Sequence, residues 1–150
     1  MNKILVAIDG SISCNKAAKE AEELALLCES SVTFITVVPL KFRLITSKKE
    51  LIEENHKTEQ RKQEANEFLD ECRKTYKKCE VRMGKKGLDI NMVVKEGSSP
   101  AEQICAFAED NEFDLIVIAD KGKSDVKKFL LGSTTEKVVR HAKNSVLVVK

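Results

Sequence analysis

Five short runs of apolar, mostly β-branched residues alternate along the chain with longer segments of helical periodicity. The runs lie at residues 3–8, 32–38, 88–95, 115–119 and 146–149. The segments with apolar residues at helical spacing lie at residues 13–28, 48–80 and 100–108, and a fourth begins at Gly132. Strands that alternate with helices form a parallel sheet covered on both faces, and right-handed crossovers leave few topologies open. The sequence therefore predicts an α/β fold with an open five-stranded parallel sheet.

The length of the chain, 150 residues, is typical of one domain. No linker, repeat or low-complexity tract divides it, so we expect a single domain over residues 1–150.

Residues 40–47 are predicted to form a loop. Ser99 is predicted to cap the third helix, with Pro100 at its first position and Glu102 completing a capping box. In the first helix the charged side chains are expected mostly on the face away from the sheet: Lys16, Lys19, Glu20, Glu22 and Glu23.

The composition argues against several classes of protein. A formal net charge of +2 gives no support for nucleic-acid binding. The first apolar run, Ile4 to Ile8, is too short for a signal peptide or a membrane span. The five cysteines include no C-x-x-C pair and are odd in number, which is typical of reduced thiols. We therefore expect a cytoplasmic protein that binds neither nucleic acid nor membrane.

The ends of two predicted strands and the start of the last helix together predict an anion-binding site. If the strand order reverses between the first and fourth strands, Asp9 and Ala119 lie side by side at the edge where parallel sheets bind ligands. Gly132 and Ser133 begin the last helix, whose free N–H groups could hold phosphates. Positive charge is concentrated nearby, because residues 119–150 carry eight Lys or Arg against three Asp or Glu.

Four segments resemble the universal stress protein family, and the similarity runs from end to end. The segments are ILVAIDGS, GSSPAEQI, DLIVIAD and LLGSTTEKVVRHAKNSVLVVK. Nucleotide-binding members of that family carry the motif G-x-x-G-x9-G-[ST]. The corresponding residues here are Ala119, Gly122, Gly132 and Ser133, so the spacing is retained while alanine replaces the first glycine.

The resemblance implies the strand order 3-2-1-4-5 of the adenine-nucleotide α-hydrolase-like fold, with ATP in the crevice, alone or with Mg²⁺ or Mn²⁺. It also implies the residues of the ATP site: Ala7, Asp9, Val37, Ala119, Lys121, Gly122, Gly132, Ser133, Thr134 and Thr135. Asp9 and Val37 would contact adenosine, residues 119–122 the ribose and phosphates, and residues 132–135 the phosphate tail. Family members commonly dimerise through the last strand, here Val146, Leu147, Val148 and Val149. The chain is thus expected to be a dimeric ATP-binding sensor or regulatory module in the stress response.

Departures from the family motif leave other functions open. Ala119 adds a Cβ where glycine lets the backbone approach the ligand, and alanine is costly there if the position needs a positive φ. Asp120 adds negative charge near the phosphates, although four lysines outnumber it: Lys121, Lys123, Lys127 and Lys128. Weakened ATP binding is therefore expected.

Two alternative functions remain. The first is an interaction protein with an empty nucleotide site. The second is a slow ATPase or phosphotransferase, although the sequence contains no P-loop and no nucleophile elbow.

Three candidate residues also have structural interpretations. The segment from Ser133 to Glu136 fits a capping box with Ser133 as the N-cap. Asp9 could simply close a turn. Cys14, near the start of the first helix, could be a redox sensor with a depressed pKa, but without a resolving cysteine nearby a structural role is favoured.

Overall fold

The computed structural model of the chain describes residues 1–39, 48–122 and 130–150, with the backbone alone over residues 48–58. Its strands are β1 (Lys3–Ala7), β2 (Ser31–Pro39), β3 (Ile90–Gly97), β4 (Leu115–Ala119) and β5 (Ser145–Val149). Its helices are α1 (Ile12–Cys28), α2 (Lys48–Gly84), α3 (Pro100–Asp110) and α4 (Ser133–His141). The predicted loop at residues 40–47 lies outside the described residues.

The five strands form one parallel sheet in the order β3-β2-β1-β4-β5. This order confirms the predicted fold class. In the centre of the sheet, Ile4 of β1 pairs with Val32 of β2 on one side and with Leu115 of β4 on the other. The chain therefore reverses its direction of winding between β1 and β4, and a crevice is expected at the carboxyl ends of these two strands.

Two apolar clusters separate the sheet from its helices, one on each face. Alternate residues of the strands enter alternate clusters, so Ile4 and Val6 pack with α1 and α2, whereas Leu5 and Ala7 pack with α3 and α4. Both clusters contain residues that are completely buried, including Phe34 on the first face and Val138 of α4 on the second. Because both faces of the central strands are covered, these strands are continuously apolar.

The third strand begins two residues later than predicted, at Ile90 rather than at residue 88. Leu88 donates its backbone N–H to the carbonyl of Met83 at 3.2 Å, so it belongs to the turn that ends α2. Gly87, with a φ of +79°, supplies the left-handed conformation that this turn requires. An apolar residue used by a turn was thus mistaken for the start of a strand.

Glu22 is an exception to the predicted charged face of α1. Its side chain is 3% exposed and forms ion pairs with Arg82 and with Lys86, the latter at 2.7 Å. Arg82 lies in the last turn of α2 and Lys86 in the turn that follows it, and α2 packs beside α1 on the same face of the sheet. The helical pattern of α1 alone does not predict this, because the partners are 60 or more residues away along the chain.

Candidate functional site

A cavity of about 280 Å³ opens at the carboxyl ends of β1, β2 and β4, and we call it the edge cavity. Nine of the ten predicted site residues line it: Ala7, Asp9, Val37, Ala119, Lys121, Gly122, Ser133, Thr134 and Thr135. The tenth, Gly132, immediately precedes Ser133 and is the N-cap of α4. Segments that lie more than 100 residues apart in sequence thus meet at one edge of the sheet.

Asp9 is positioned by the turn between β1 and α1. Its carboxylate accepts the N–H of Ser11 at 2.9 Å, and the hydroxyl of Ser11 in turn accepts the N–H of Cys14 at 3.3 Å and caps α1. Gly10 between them has a φ of +77°, and a Cβ on it would lie 3.0 Å from the Cβ of Glu71. The turn therefore needs glycine for its backbone conformation and for its close approach to α2.

Three hydrogen bonds fix the carboxyl end of β4 to the elements around it. Asp120 donates its N–H to the carbonyl of Val149 at 2.8 Å and accepts the N–H of Gly132 at 2.7 Å. The hydroxyl of Thr135, which is 3% exposed, donates to the carbonyl of Ala119 at 2.7 Å. The N–H of Gly132 and the hydroxyl of Thr135 are therefore already used within the fold.

The N-terminus of α4 presents backbone donors to the edge cavity. The first helical hydrogen bond runs from the N–H of Glu136 to the carbonyl of Gly132 at 2.9 Å. The N–H groups of Ser133, Thr134 and Thr135 precede it and have no acceptor within the helix. All three residues line the cavity. An anion placed there would also gain about 0.3–1 kcal/mol from the helix macrodipole.

The alternative interpretation of Ser133 as the N-cap is wrong. Gly132 holds that position, with φ −59° and ψ 149°, and no side chain caps the helix. An N-cap residue has an extended backbone, whereas Ser133 is already the first helical residue. Glu136 consequently lies one position too far along the helix to close a capping box. The predicted cap at Ser99 is correct, because its hydroxyl accepts the N–H of Glu102 at 3.4 Å and Pro100 follows it.

Ala119 does not strain the backbone. It is the last residue of β4 and has the extended conformation of a strand. Among non-glycine residues in the described ranges, positive φ angles occur at Glu29 and Glu112. The side chain of Ala119 is 5% exposed and belongs to the apolar cluster under α1 and α2. The condition under which alanine would be costly is therefore not met.

Charge in the edge cavity comes from Asp9 and Lys121 among the described residues that line it. Lys121 is half-buried and follows Asp120, whose carbonyl accepts the N–H of Gly132, so its backbone lies beside the start of α4. The three lysines expected to support it, Lys123, Lys127 and Lys128, lie outside the described residues.

Apolar residues that sequence reasoning did not select form much of the cavity wall: Ile8, Ile35, Pro39, Phe68, Pro100, Ile104 and Ile118. Strand alternation could have found Ile35, two residues before Val37 and on the same face. Pro100 and Ile104 share one face of α3 at a spacing of four residues. Phe68 carries no local signal, because its helix is distant in sequence from the other wall residues.

Cys14 also lines the edge cavity, and burial raises the pKa of its thiol. The Sγ of Cys14 donates to the carbonyl of Ser11 at 3.0 Å. A protonated, hydrogen-bonded and buried thiol is a poor nucleophile. The structural role that was favoured for Cys14 fits this environment better than the redox sensor does.

Within the described parts of the chain, no three side chains of the His, Cys, Asp or Glu type converge within ligating distance of a common metal ion. No described helix is both long enough and apolar enough to cross a membrane.

The sequence of the chain as a whole is similar to those of known proteins. Residues 1–150 match the Universal stress protein family. The chain belongs to this family. The universal stress protein MJ0531 of Methanocaldococcus jannaschii is 34% identical to it, over 99% of this chain and 81% of the relative. The family resemblance read from the sequence is thus confirmed.

Solved structures share the fold of this universal stress protein. Protein MJ0577 of M. jannaschii has a TM-score of 0.75 and 26% identity, over 99% of this chain and 95% of that chain. A universal stress protein from Archaeoglobus fulgidus in complex with dAMP has a TM-score of 0.65 and 21% identity, over 100% and 98%. Another universal stress protein, in complex with cAMP, has a TM-score of 0.70 and 22% identity, over 99% and 97%.

Proposed function

We propose that this chain binds an adenine nucleotide in the edge cavity. The nucleotide that the family motif implies is ATP. The observation that carries the proposal is the set of three N–H groups at the start of α4, on residues 133–135, which line the cavity without acceptors in the helix. Lys121 supplies positive charge on the same side. Backbone donors at a helix N-terminus and one cation suit a phosphate group.

The remaining walls suit a nucleoside. The carboxylate of Asp9 at the end of β1 is an acceptor that ribose hydroxyls could use. Val37 and Pro39 at the end of β2 are apolar and suit the faces of a base. Two family members of the same fold were solved with cAMP and with dAMP, ligands that share an adenine base and one phosphate. The lining residues and these two complexes support an adenine nucleotide as the ligand.

A pair of substitutions at Ser133 tests the proposal. Proline at this first helical position removes one N–H donor, and the ψ of 149° at Gly132 suits a residue that precedes proline. The same arrangement already exists in this chain at Ser99 and Pro100. S133P is expected to weaken ATP binding by about tenfold or more, because a hydrogen bond to a charged group is lost. Isothermal titration measures the change.

The matched control is S133A, which removes the hydroxyl and keeps the N–H group. We expect S133A to bind ATP within about threefold of the unmodified protein, because the backbone donor remains. Equal affinities of S133P and the unmodified protein would refute the assignment of phosphates to α4. Denaturation of protein purified from cells, followed by analysis of the released nucleotides, tests binding itself. An empty supernatant together with no heat on titration of Mg-ATP would end the proposal.

We further propose that the chain acts as a homodimeric regulatory module in the cytoplasmic stress response, paired through β5. β5 is an edge strand of the sheet. The carbonyl of Val149 bonds to Asp120 on the β4 side, so strand alternation directs the N–H and carbonyl of Val148 outward. Exposed edge donors and acceptors of this kind are a template for pairing with a second strand.

Proline at Val148 is expected to convert the dimer to a monomer. It removes an outward N–H donor and leaves the inward bonds between β4 and β5 in place. Val148→Thr keeps that N–H with a similar shape and is expected to remain dimeric. Light scattering coupled to size-exclusion chromatography distinguishes the two states. A V148P variant that elutes as a dimer would exclude pairing through this edge.

A further inference from the structure

Phe68 is an aromatic ring in the wall of the edge cavity, and it comes from the long helix α2 rather than from the loops at the sheet edge. Among the described residues that line the cavity, it is the one with an aromatic side chain. Its ring is half-buried and packs against the apolar cluster under α1 and α2. A ring that keeps part of its surface accessible inside a cavity is available to a ligand.

The position of Phe68 is fixed by contacts one turn further along α2. Cys72 is completely buried, and its Sγ accepts the hydroxyl of Thr36 at 3.1 Å. Thr36 precedes Val37, so this bond ties α2 to the end of β2. The close approach of Gly10 to Glu71 holds the same turn of α2 against the loop that carries Asp9. The ring is therefore held on a rigid element.

The edge cavity has two chemically different halves. Phe68 belongs to the β2 side of the cavity, because α2 packs against β2. The apolar lining residues on that side are Val37 and Pro39 of β2 and, from α3 on the opposite face of the sheet, Pro100 and Ile104. The β4 side contains Lys121 and residues 133–135, whose N–H groups precede the first helical hydrogen bond of α4. Because β2 and β4 lie on opposite sides of β1 in the sheet, the two halves of the cavity are two strand positions apart. A ligand with a flat apolar end and an anionic end fits in one orientation.

We infer that Phe68 forms one wall of the base-binding half of the cavity and sets the affinity for the nucleobase by stacking against it. This inference rests on the proposed nucleotide binding and adds a residue to it. Stacking of a base on an aromatic side chain contributes about 5- to 150-fold to affinity, as judged by removal of the ring. The ring acts on the base and leaves the phosphate half unchanged.

The first test compares F68L with the unmodified protein, because leucine keeps an apolar side chain and removes the ring. Three probes are titrated by calorimetry: ATP, adenosine and tripolyphosphate. F68L is expected to weaken ATP and adenosine by about tenfold each and to leave tripolyphosphate within about twofold. S133P is expected to give the opposite pattern, with tripolyphosphate weakened and adenosine unchanged.

The second test uses the absence of tryptophan from the sequence. F68W places a single indole in the cavity wall, where a stacked adenine should quench its fluorescence. Y76W is the matched control, since Tyr76 lies two turns along the same helix and packs edge-on against Phe34 at 5.6 Å. Adenosine is expected to quench F68W and leave Y76W unchanged, while tripolyphosphate changes neither.

The outcomes separate this inference from the proposed function. Unchanged adenosine affinity in F68L, or equal quenching of F68W and Y76W, would overturn the role of Phe68 while nucleotide binding stands. Equal weakening of all three probes in F68L would also overturn it, because the effect would then be a general disruption of the cavity. If the unmodified protein binds neither ATP nor adenosine, the proposed function and this inference fail together.

Discussion

Replacing Phe34 by alanine is expected to lower the free energy of unfolding by about 3–5 kcal/mol. Phe34 lies on β2, is completely buried, and contacts the ring of Tyr76 on α2 edge-on at a centroid distance of 5.6 Å. Its removal leaves a cavity between the sheet and α2, and a rigid sheet can close such a cavity only partly. Urea denaturation at neutral pH measures the loss.

Phe107 provides a matched control for Phe34. It is the same residue type, it is half-buried on α3, and its ring contacts Phe113 at a centroid distance of 5.7 Å. F107A is expected to lose clearly less stability than F34A, because solvent already reaches part of its ring. Equal losses in the two variants would contradict the position of Phe34 at the centre of the packing between β2 and α2.

Replacing Glu22 by glutamine is expected to lower the free energy of unfolding by about 2 kcal/mol at neutral pH. The variant keeps the shape of the side chain and removes the charge that Arg82 and Lys86 stabilise. These two cations have side-chain exposures of 45% and 48%, so water solvates them when the carboxylate is lost. The loss therefore stays below the 3–5 kcal/mol or so expected for breaking a fully buried pair.

The stabilisation by Glu22 has a definite pH dependence. Burial raises the pKa of Glu22, but hydrogen bonds from Lys86 and Arg82 outweigh burial and hold the pKa below its ordinary value. A carboxyl with a lowered folded-state pKa stabilises fully above its unfolded pKa, and this stabilisation is lost as the pH falls through the folded pKa. The stability difference between the unmodified protein and E22Q should therefore shrink on acidification.

Denaturation curves at neutral pH and below the ordinary carboxyl pKa, about 4.3, measure this difference. E23Q is the control, because Glu23 is the neighbouring residue of α1 and its side chain is exposed. E23Q is expected to stay within about 0.5 kcal/mol of the unmodified protein at both pH values. A difference for E22Q that is independent of pH would show that the charge of Glu22 contributes nothing.

The polar half of the edge cavity could be predicted from sequence because it depends on chain order. Asp9 lies two residues after the end of β1, Ala119 ends β4, and Ser133 begins α4, so their positions along the elements decide which edge of the sheet they occupy. The resemblance to the universal stress protein family added the strand order that brings β1 and β4 together. Val37 at the end of β2 was implied by that resemblance alone.

The hydrogen-bond assignments at that edge could not be predicted. Gly132 gives its N–H to Asp120, and Thr135 gives its hydroxyl to Ala119. Whether a donor faces a ligand or the fold depends on distances of a fraction of an ångström, which no spacing in the sequence encodes. The N-cap prediction at Ser133 failed for a related reason, since Gly132 is extended and satisfies the cap geometry one residue earlier.

The sequence by itself determined the number and order of the strands and helices and the edge of the sheet at which the cavity lies, because periodicity and chain order are local properties. Only the tertiary structure decided that Phe68 joins the cavity wall and that Glu22 is buried beside Lys86, 64 residues away. Both results depend on how α2 packs against α1 and β2. That packing is set by the fit between whole surfaces, and the pattern of either surface alone does not specify it.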